Sequence, residues 1–465
     1  MGWGLNAKER EALLTSCMIS KSKGKVKAKA KAKAPEGGAA AGEKAVMVSA
    51  SASAPAQGGL GEVLDIKKGK VIVVADMNAK VRQKAVDIPG SPLNLWKVVQ
   101  NVVYEVAGVR ETDDDLRADH TVMAFDSPDS SPIMRSGLWA SRYAKPNPKF
   151  VLTEEQKDEA IAFVQAAAKC SAAARQQPPC LFGSLFQPGP LKRETWKAIE
   201  AIARRVACKL KADGKIRDFT LVSHDHTVFS SVDAVTVAGP ASIGLGGRFA
   251  RLGEADLKVF AVAVHFLKRP LTEVRHVDVK SVDTDLLLQT VATVGVGVPR
   301  ARFTISLKGF AVDGRALIKQ FGGKKASARL EAAFWWIMAG GTDYSKPASD
   351  QGYLKKAMLD LTHPIRLARD PPLFELAKDA KGADGVAFSP SAALKKLQTL
   401  RGTRKVARDL AGKTTKSGRS LSDAVREAVV CTAYYGMLDV NPGPDFCADV
   451  SAASAAKDVF ISAPM

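Results

Sequence analysis

Seven carboxylates carry the chemistry this chain could do. Asp76 ends the apolar run VIVVAD and Asp126 ends TVMAFD. Glu254 and Asp256 lie two apart in LGEADL, and Asp283 and Asp285 lie two apart in SVDTDLLL. Asp343 follows a Gly-Gly pair in MAGGTDY. A carboxylate beside an apolar strand is costly to bury unless it is paired or binds a cation. Oxygen ligands suit hard divalent ions, so the expected chemistry is that of Mg²⁺ or Mn²⁺ gathered into one cleft. Taken singly, each residue also reads as a cap or turn residue; the set as a whole points to a shared site.

The elements that would position these residues alternate in type. Lys70–Asp76, His120–Phe125, Asp218–Ser223, Val277–Ser281 and Ala301–Phe310 read as strands. Leu93–Ala107, Glu154–Ala174, Glu194–Lys211, Ala255–Phe266, Asp285–Val294 and Arg329–Met338 read as helices, with Thr153 as the N-cap of the second. Strands alternating with helices predict an α/β fold, a mostly parallel central sheet covered by helices. Such sheets bind ligands at the carboxyl ends of their strands, where Asp76, Asp126 and Asp283 fall. Beyond Tyr344 the chain reads as helical, most clearly over Ser420–Leu438.

Composition bounds the partners. The 465 residues carry a formal net charge of +20, which favours polyanions, nucleic acid first. Residues 21–34, KSKGKVKAKAKAKA, hold seven lysines, among them Lys27, Lys29 and Lys31. So dense a run of like charge with no apolar face is expected to be a disordered polycation, and residues 1–61 a tail and linker. The tail would add salt-sensitive affinity for phosphates or serve solubility and localisation. No run of about 20 apolar residues suggests a membrane span, and no secretory signal is expected. Six scattered cysteines without a Cys-x-x-Cys pair argue against zinc and for a reducing, intracellular setting, whether nuclear, nucleoid or viral. His224 and His226 form an H-x-H pair that reads as polar strand-end surface rather than a ligand pair.

The ordered acidic motifs resemble the flap endonuclease/XPG family of structure-specific 5′ nucleases and the related Xrn-type 5′→3′ exoribonucleases. The matching features are the strand-ending Asp76 in ADMN, Phe125-Asp126, Glu254-Ala255-Asp256, Asp283-Thr284-Asp285 and Gly341-Thr342-Asp343-Tyr344. The resemblance implies a PIN-like nuclease domain over residues 62–350, an arch or clamp insertion over about 130–213, and a helical region over 351–465. It implies two Mg²⁺ or Mn²⁺ ions, held mainly by Glu254, Asp256, Asp283 and Asp285. Asp76, Asp126 and Asp343 would act directly or through waters. Arg135 and Arg142 lie seven apart, share a helix face and match the family's phosphate-orienting basic helix, which Lys145 would extend.

The implied activity is metal-dependent hydrolysis of phosphodiester bonds at or near 5′ ends, by a monomer acting on DNA or RNA with a single-stranded 5′ portion. The chain departs from the family in three ways. SKPASDQGYLKKAMLDL replaces the Gly-rich duplex-gripping motif, Asp256 is one methylene shorter than Glu, and no sliding-clamp peptide is evident. The alternative is a non-catalytic nucleic-acid-binding or packaging protein on a nuclease-like scaffold. If the carboxylates converge, they repel without metal. Adding Mg²⁺ or Mn²⁺ should then raise the melting temperature of the purified protein, and an unchanged melting curve would count against convergence.

Overall fold

The computed structural model describes residues 18–19, 69–86, 93–109, 117–127, 148–187, 189–225, 227–231, 240–245, 254–342, 344–348, 352–363, 367, 372–378, 384–389, 392–393, 396 and 421–438. Their strands are β1 (Met18–Ile19), β2 (Lys70–Asp76), β3 (His120–Ala124), β4 (Asp218–Val222), β5 (Val228–Ser230), β6 (Val274–Lys280), β7 (Arg302–Leu307), β8 (Phe310–Asp313), β9 (Phe374–Lys378) and β10 (Asp384–Phe388). Their helices are α1 (Met77–Val86), α2 (Leu95–Val106), α3 (Glu154–Lys169), α4 (Ser171–Ala174), α5 (Pro190–Ala212), α6 (Ala255–Leu267), α7 (Asp285–Ala292), α8 (Gly314–Gln320), α9 (Ala326–Gly340), α10 (Gly352–Asp360) and α11 (Leu421–Tyr435).

Eight strands form one sheet in the order β1-β8-β7-β6-β2-β3-β4-β5. The central run from β7 through β4 is parallel, and the outer pairs β4–β5, β7–β8 and β1–β8 are antiparallel. The expected class therefore holds: α/β, with a mostly parallel sheet covered by helices. β2 lies at the centre, and after Lys70 all its residues are buried. Successive side chains alternate between faces. Ile72 and Val74 join one core with α6, α7, α9 and α11, while Val73 and Ala75 join a second with α1, α2, α3 and α5.

Local signals explain several boundaries. Thr153 caps α3, and Thr153 and Gln156 exchange both bonds of a capping box. Cys170 is extended and splits the expected Glu154–Ala174 helix into α3 and α4. Pro190 opens α5 four residues before the expected start, in the first turn where a missing N–H costs nothing. Ala301–Phe310 does not continue as one strand. The chain reverses at Gly309 (φ 88°), and Leu307 pairs with Phe310 across the turn. Met18–Ile19, within the segment expected to be disordered, pairs with β8.

The C-terminal region is not wholly helical. β9 and β10 form an antiparallel pair there, joined by aromatic contacts among Phe334, Phe374 and Phe388. Leu373, Ala392, Ala424 and Tyr435 share the core that covers β2 and β6, so this region packs continuously with the sheet. Lys396 reaches α9 and donates to both oxygens of buried Glu331, at 2.8 and 2.7 Å. No helix among the described residues is long and apolar enough to cross a membrane. Breaking a buried ion pair leaves one uncompensated charge. Lys396→Met should lower unfolding stability by about 3 kcal/mol, and adding Glu331→Met should recover much of that loss in denaturant titrations.

Candidate functional site

Chain topology makes the crevice. From β2 the chain steps to β3 and β4 on one side, then returns through β6 on the other side and continues to β7 and β8. Loops at the carboxyl ends of β2 and β6 therefore diverge, which is where open α/β sheets bind ligands. Asp76 is the last residue of β2, in register with Ile72 and Val74 on the face that α6 covers. Asp126 follows β3 by two residues, and Asp283 and Asp285 follow β6. α6 crosses this face against β2, β3 and β6, and its N-terminus brings Glu254 and Asp256 to the same end.

Backbone and side-chain donors fix these carboxylates. Asp76 Oδ1 accepts the Ala79 N–H at 3.0 Å, which caps α1, and its Oδ2 accepts the buried Ser281 hydroxyl at 3.3 Å. Asp126 Oδ1 accepts the Ala255 N–H at 2.8 Å, so a residue 129 positions earlier caps α6. Glu254 occupies the N-cap position but makes no side-chain cap bond. An anion at a helix N-terminus is favoured by the exposed N–H groups and the helix dipole. Asp256 Oδ1 accepts the Leu257 N–H at 2.8 Å, and its Oδ2 accepts Gln289 Nε2 at 3.1 Å. Asp283 Oδ1 accepts the Asp285 N–H at 3.0 Å. Tyr435 donates to Asp285 Oδ2 at 2.5 Å, and Tyr434 to Glu254 Oε2 at 3.4 Å.

Electrostatics tie Asp76 to three of these acids. Burial first, then the Asp126 carboxylate, holds the Asp76 carboxyl well above the usual carboxylate range. Asp256 and Asp283 push the same way, against the Ala79 N–H. Like charges that share a site cannot all ionise cheaply. The buried Lys258 is the nearby counterweight. Its ammonium donates to Phe125 O at 2.8 Å, Ser127 Oγ at 2.9 Å and Ser223 O at 3.1 Å, using all three donors. Burial pushes it down to about 8, against the pull of Asp126, Glu200 and Asp225. Beside it, His224 Nδ1 pairs with Glu200 Oε2 at 2.6 Å, so this histidine has a structural partner; His226 lies outside the described residues.

Among the described residues, no group of three or more His, Cys, Asp or Glu side chains is placed to hold a metal ion. Two features nonetheless fit an added ligand. Asn78 Oδ1 accepts the Asp126 N–H at 3.2 Å, which fixes its amide orientation, yet among the described residues its buried Nδ2 has no partner. Gln289 holds Asp256 through Nε2, and its buried Oε1 likewise has none. Buried polar atoms normally find partners, so such orphans beside repelling carboxylates suit a site that takes a cation and its oxygen shell.

Of the seven expected carboxylates, Asp126, Asp256 and Asp283 act on Asp76 at one end of the sheet, and Glu254 and Asp285 stand at the starts of α6 and α7. Asp343, Arg135, Arg142, Lys145, Lys27, Lys29 and Lys31 lie outside the described residues. The turn before Asp343 is described. Gly341 has φ 70°, and a Cβ there would meet Ser345 O at 2.7 Å, so glycine is required. Sequence reading missed Asn78, Lys258, Ser281, Gln289, Tyr434 and Tyr435. Lys258 and Gln289 each stand four residues after a site acid, on otherwise apolar helices. That i, i+4 spacing was the available signal.

Comparison with protein-family models finds no match for this chain, and comparison with curated proteins finds none either.

Because Asp76 keeps its proton above the ordinary carboxylate range, folding takes up a proton there. The metal-free protein should lose stability as pH rises from the ordinary carboxylate value towards the raised one. Asp76→Asn should lack that decline, melt a few degrees higher than wild type without metal at neutral pH, and show a weaker rise with Mn²⁺. Thermal melts across pH, with and without Mn²⁺, check all three.

Proposed function

We propose that the chain is a metal-dependent nuclease with a PIN-like domain, hydrolysing phosphodiester bonds at or near the 5′ end of DNA or RNA. One observation carries the reading. Asp126, Asp256 and Asp283, from three other stretches of sequence, all disfavour the charge of buried Asp76 at the switch point of a parallel sheet. Glu254, Asp256, Asp283 and Asp285 would be the main holders of Mg²⁺ or Mn²⁺, with Asp76 and Asp126 acting directly or through waters. Held there, such ions would supply a hydroxide near neutral pH and neutralise charge on the leaving oxygen.

The chain's own residues set the frame for that chemistry. Asp126 fixes the start of α6, and with it Glu254 and Asp256. Lys258 ties α6 to the ends of β3 and β4, so those two carboxylates stay in register with Asp126. Asn78 Nδ2 is a neutral donor beside Asp126, suited to a phosphate oxygen or a bound water. The net charge of +20 supports a polyanionic substrate.

The second reading is a non-catalytic nucleic-acid-binding or packaging protein on the same scaffold. It is favoured because no group of three or more metal-type side chains among the described residues is placed to hold an ion. Incubating the full chain with 5′-labelled single-stranded, flapped and duplex DNA and RNA, in Mg²⁺ or EDTA, separates the two. The nuclease reading expects metal-dependent products that fall by about 100-fold or more in Asp283→Ala. Binding without cleavage, equal in wild type and Asp283→Ala, supports the second reading.

A further inference from the structure

The described C-terminal helix ends inside the acidic site. α11 closes with Tyr434 and Tyr435, and adjacent helical residues point about 100° apart. The two side chains accordingly reach different helices. Tyr434 meets Glu254 at the start of α6, and Tyr435 meets Asp285 at the start of α7. Tyr435 is fully buried, and the Thr342 side chain lies beside the same hydroxyl. Tyr344, from the turn after Gly341, packs against both rings, at 5.3 Å from Tyr434 and 6.0 Å from Tyr435. Gly436 lets the helix end approach the sheet-side helices. A Cβ there would meet Leu330 at 3.1 Å and Ala292 O at 3.2 Å.

We propose that Tyr435, with Tyr434 in a lesser role, is a positioning residue of the acidic site, orienting the Asp285 and Glu254 carboxylates for a divalent cation. The inference rests on the nuclease reading of that site. Packing alone would be met by phenylalanine. A buried phenol needs a partner, and here both hydroxyls find carboxylates. Hydrogen bonds to a carboxylate are shorter than neutral ones, and the Tyr435 contact is 2.5 Å. A phenol is also neutral. It fixes the carboxylate without cancelling the negative charge that attracts a cation, as lysine or arginine would. Partners that orient metal ligands in this way affect metal affinity by about 10- to 100-fold. The consequence for the whole chain is that the C-terminal region completes the site rather than accompanying it.

The test compares full-length wild type, Tyr435→Phe and Tyr434→Phe. Two readouts are followed: the Mn²⁺ concentration that half-saturates the rise in melting temperature, and the concentration that half-saturates cleavage of a 5′-labelled single strand. Tyr435→Phe should raise both by about tenfold or more. Tyr434→Phe should raise them less, and nucleic-acid binding in EDTA should stay at the wild-type level. Because Tyr435→Phe also strips a donor from a buried carboxylate, the comparison is repeated in an Asp285→Asn background. There Tyr435→Phe should cause no further change in metal dependence. Wild-type metal dependence in Tyr435→Phe, with wild-type cleavage intact, overturns the inference and leaves the nuclease reading standing. A wild-type chain that takes up no Mn²⁺ and cleaves nothing overturns the nuclease reading, and the inference with it.

Discussion

The structure is organised around the burial of Asp76 on the central strand. A carboxylate at the end of β2 has sheet on both sides and α6 above it, so water cannot solvate its charge. Three more carboxylates face the same space, and their repulsion adds to the cost of desolvation. A fold does not retain such a group for stability, since buried charges without partners destabilise. What keeps it tolerable is a set of local offsets: the Ala79 N–H and Ser281 hydroxyl on Asp76, the α6 N-terminus on Asp126, and the Gln289 amide on Asp256.

Those offsets also tie the molecule together. The Asp126 bond joins the end of β3 to the start of α6, and Lys258 joins α6 back to the ends of β3 and β4. The tyrosine pair brings α11 to both helix starts that carry site acids. Each connection is polar and specific, and each runs between elements distant in sequence. The acidic end of the sheet is therefore held by directional bonds, while the rest of the sheet is held by aliphatic packing that tolerates adjustment.

The fold class was legible because the strands and helices carry strong, different periods. β2 reads as a continuous β-branched run only because it is buried on both faces, and α6 is so apolar that its four-residue spacing barely shows. The acids were legible because a charge stands out at the end of an apolar run. The donors that answer them were not. Ser281, Gln289 and Tyr435 are ordinary residues in ordinary segments, and they gain meaning only when distant elements meet. The β9–β10 pair escaped notice because its strands are short and carry little alternation, and the turn at Gly309 was hidden inside a pattern that continued across it.

The most direct test of the account is an anomalous diffraction map from crystals of the full chain soaked in Mn²⁺. The account calls for one or two manganese peaks within ligand distance of the carboxylates of Glu254, Asp256, Asp283 and Asp285, with Asp76 and Asp126 meeting them directly or through a water. A map with ordered carboxylates and no manganese among them, at concentrations that saturate divalent-ion sites elsewhere on the protein, would contradict it.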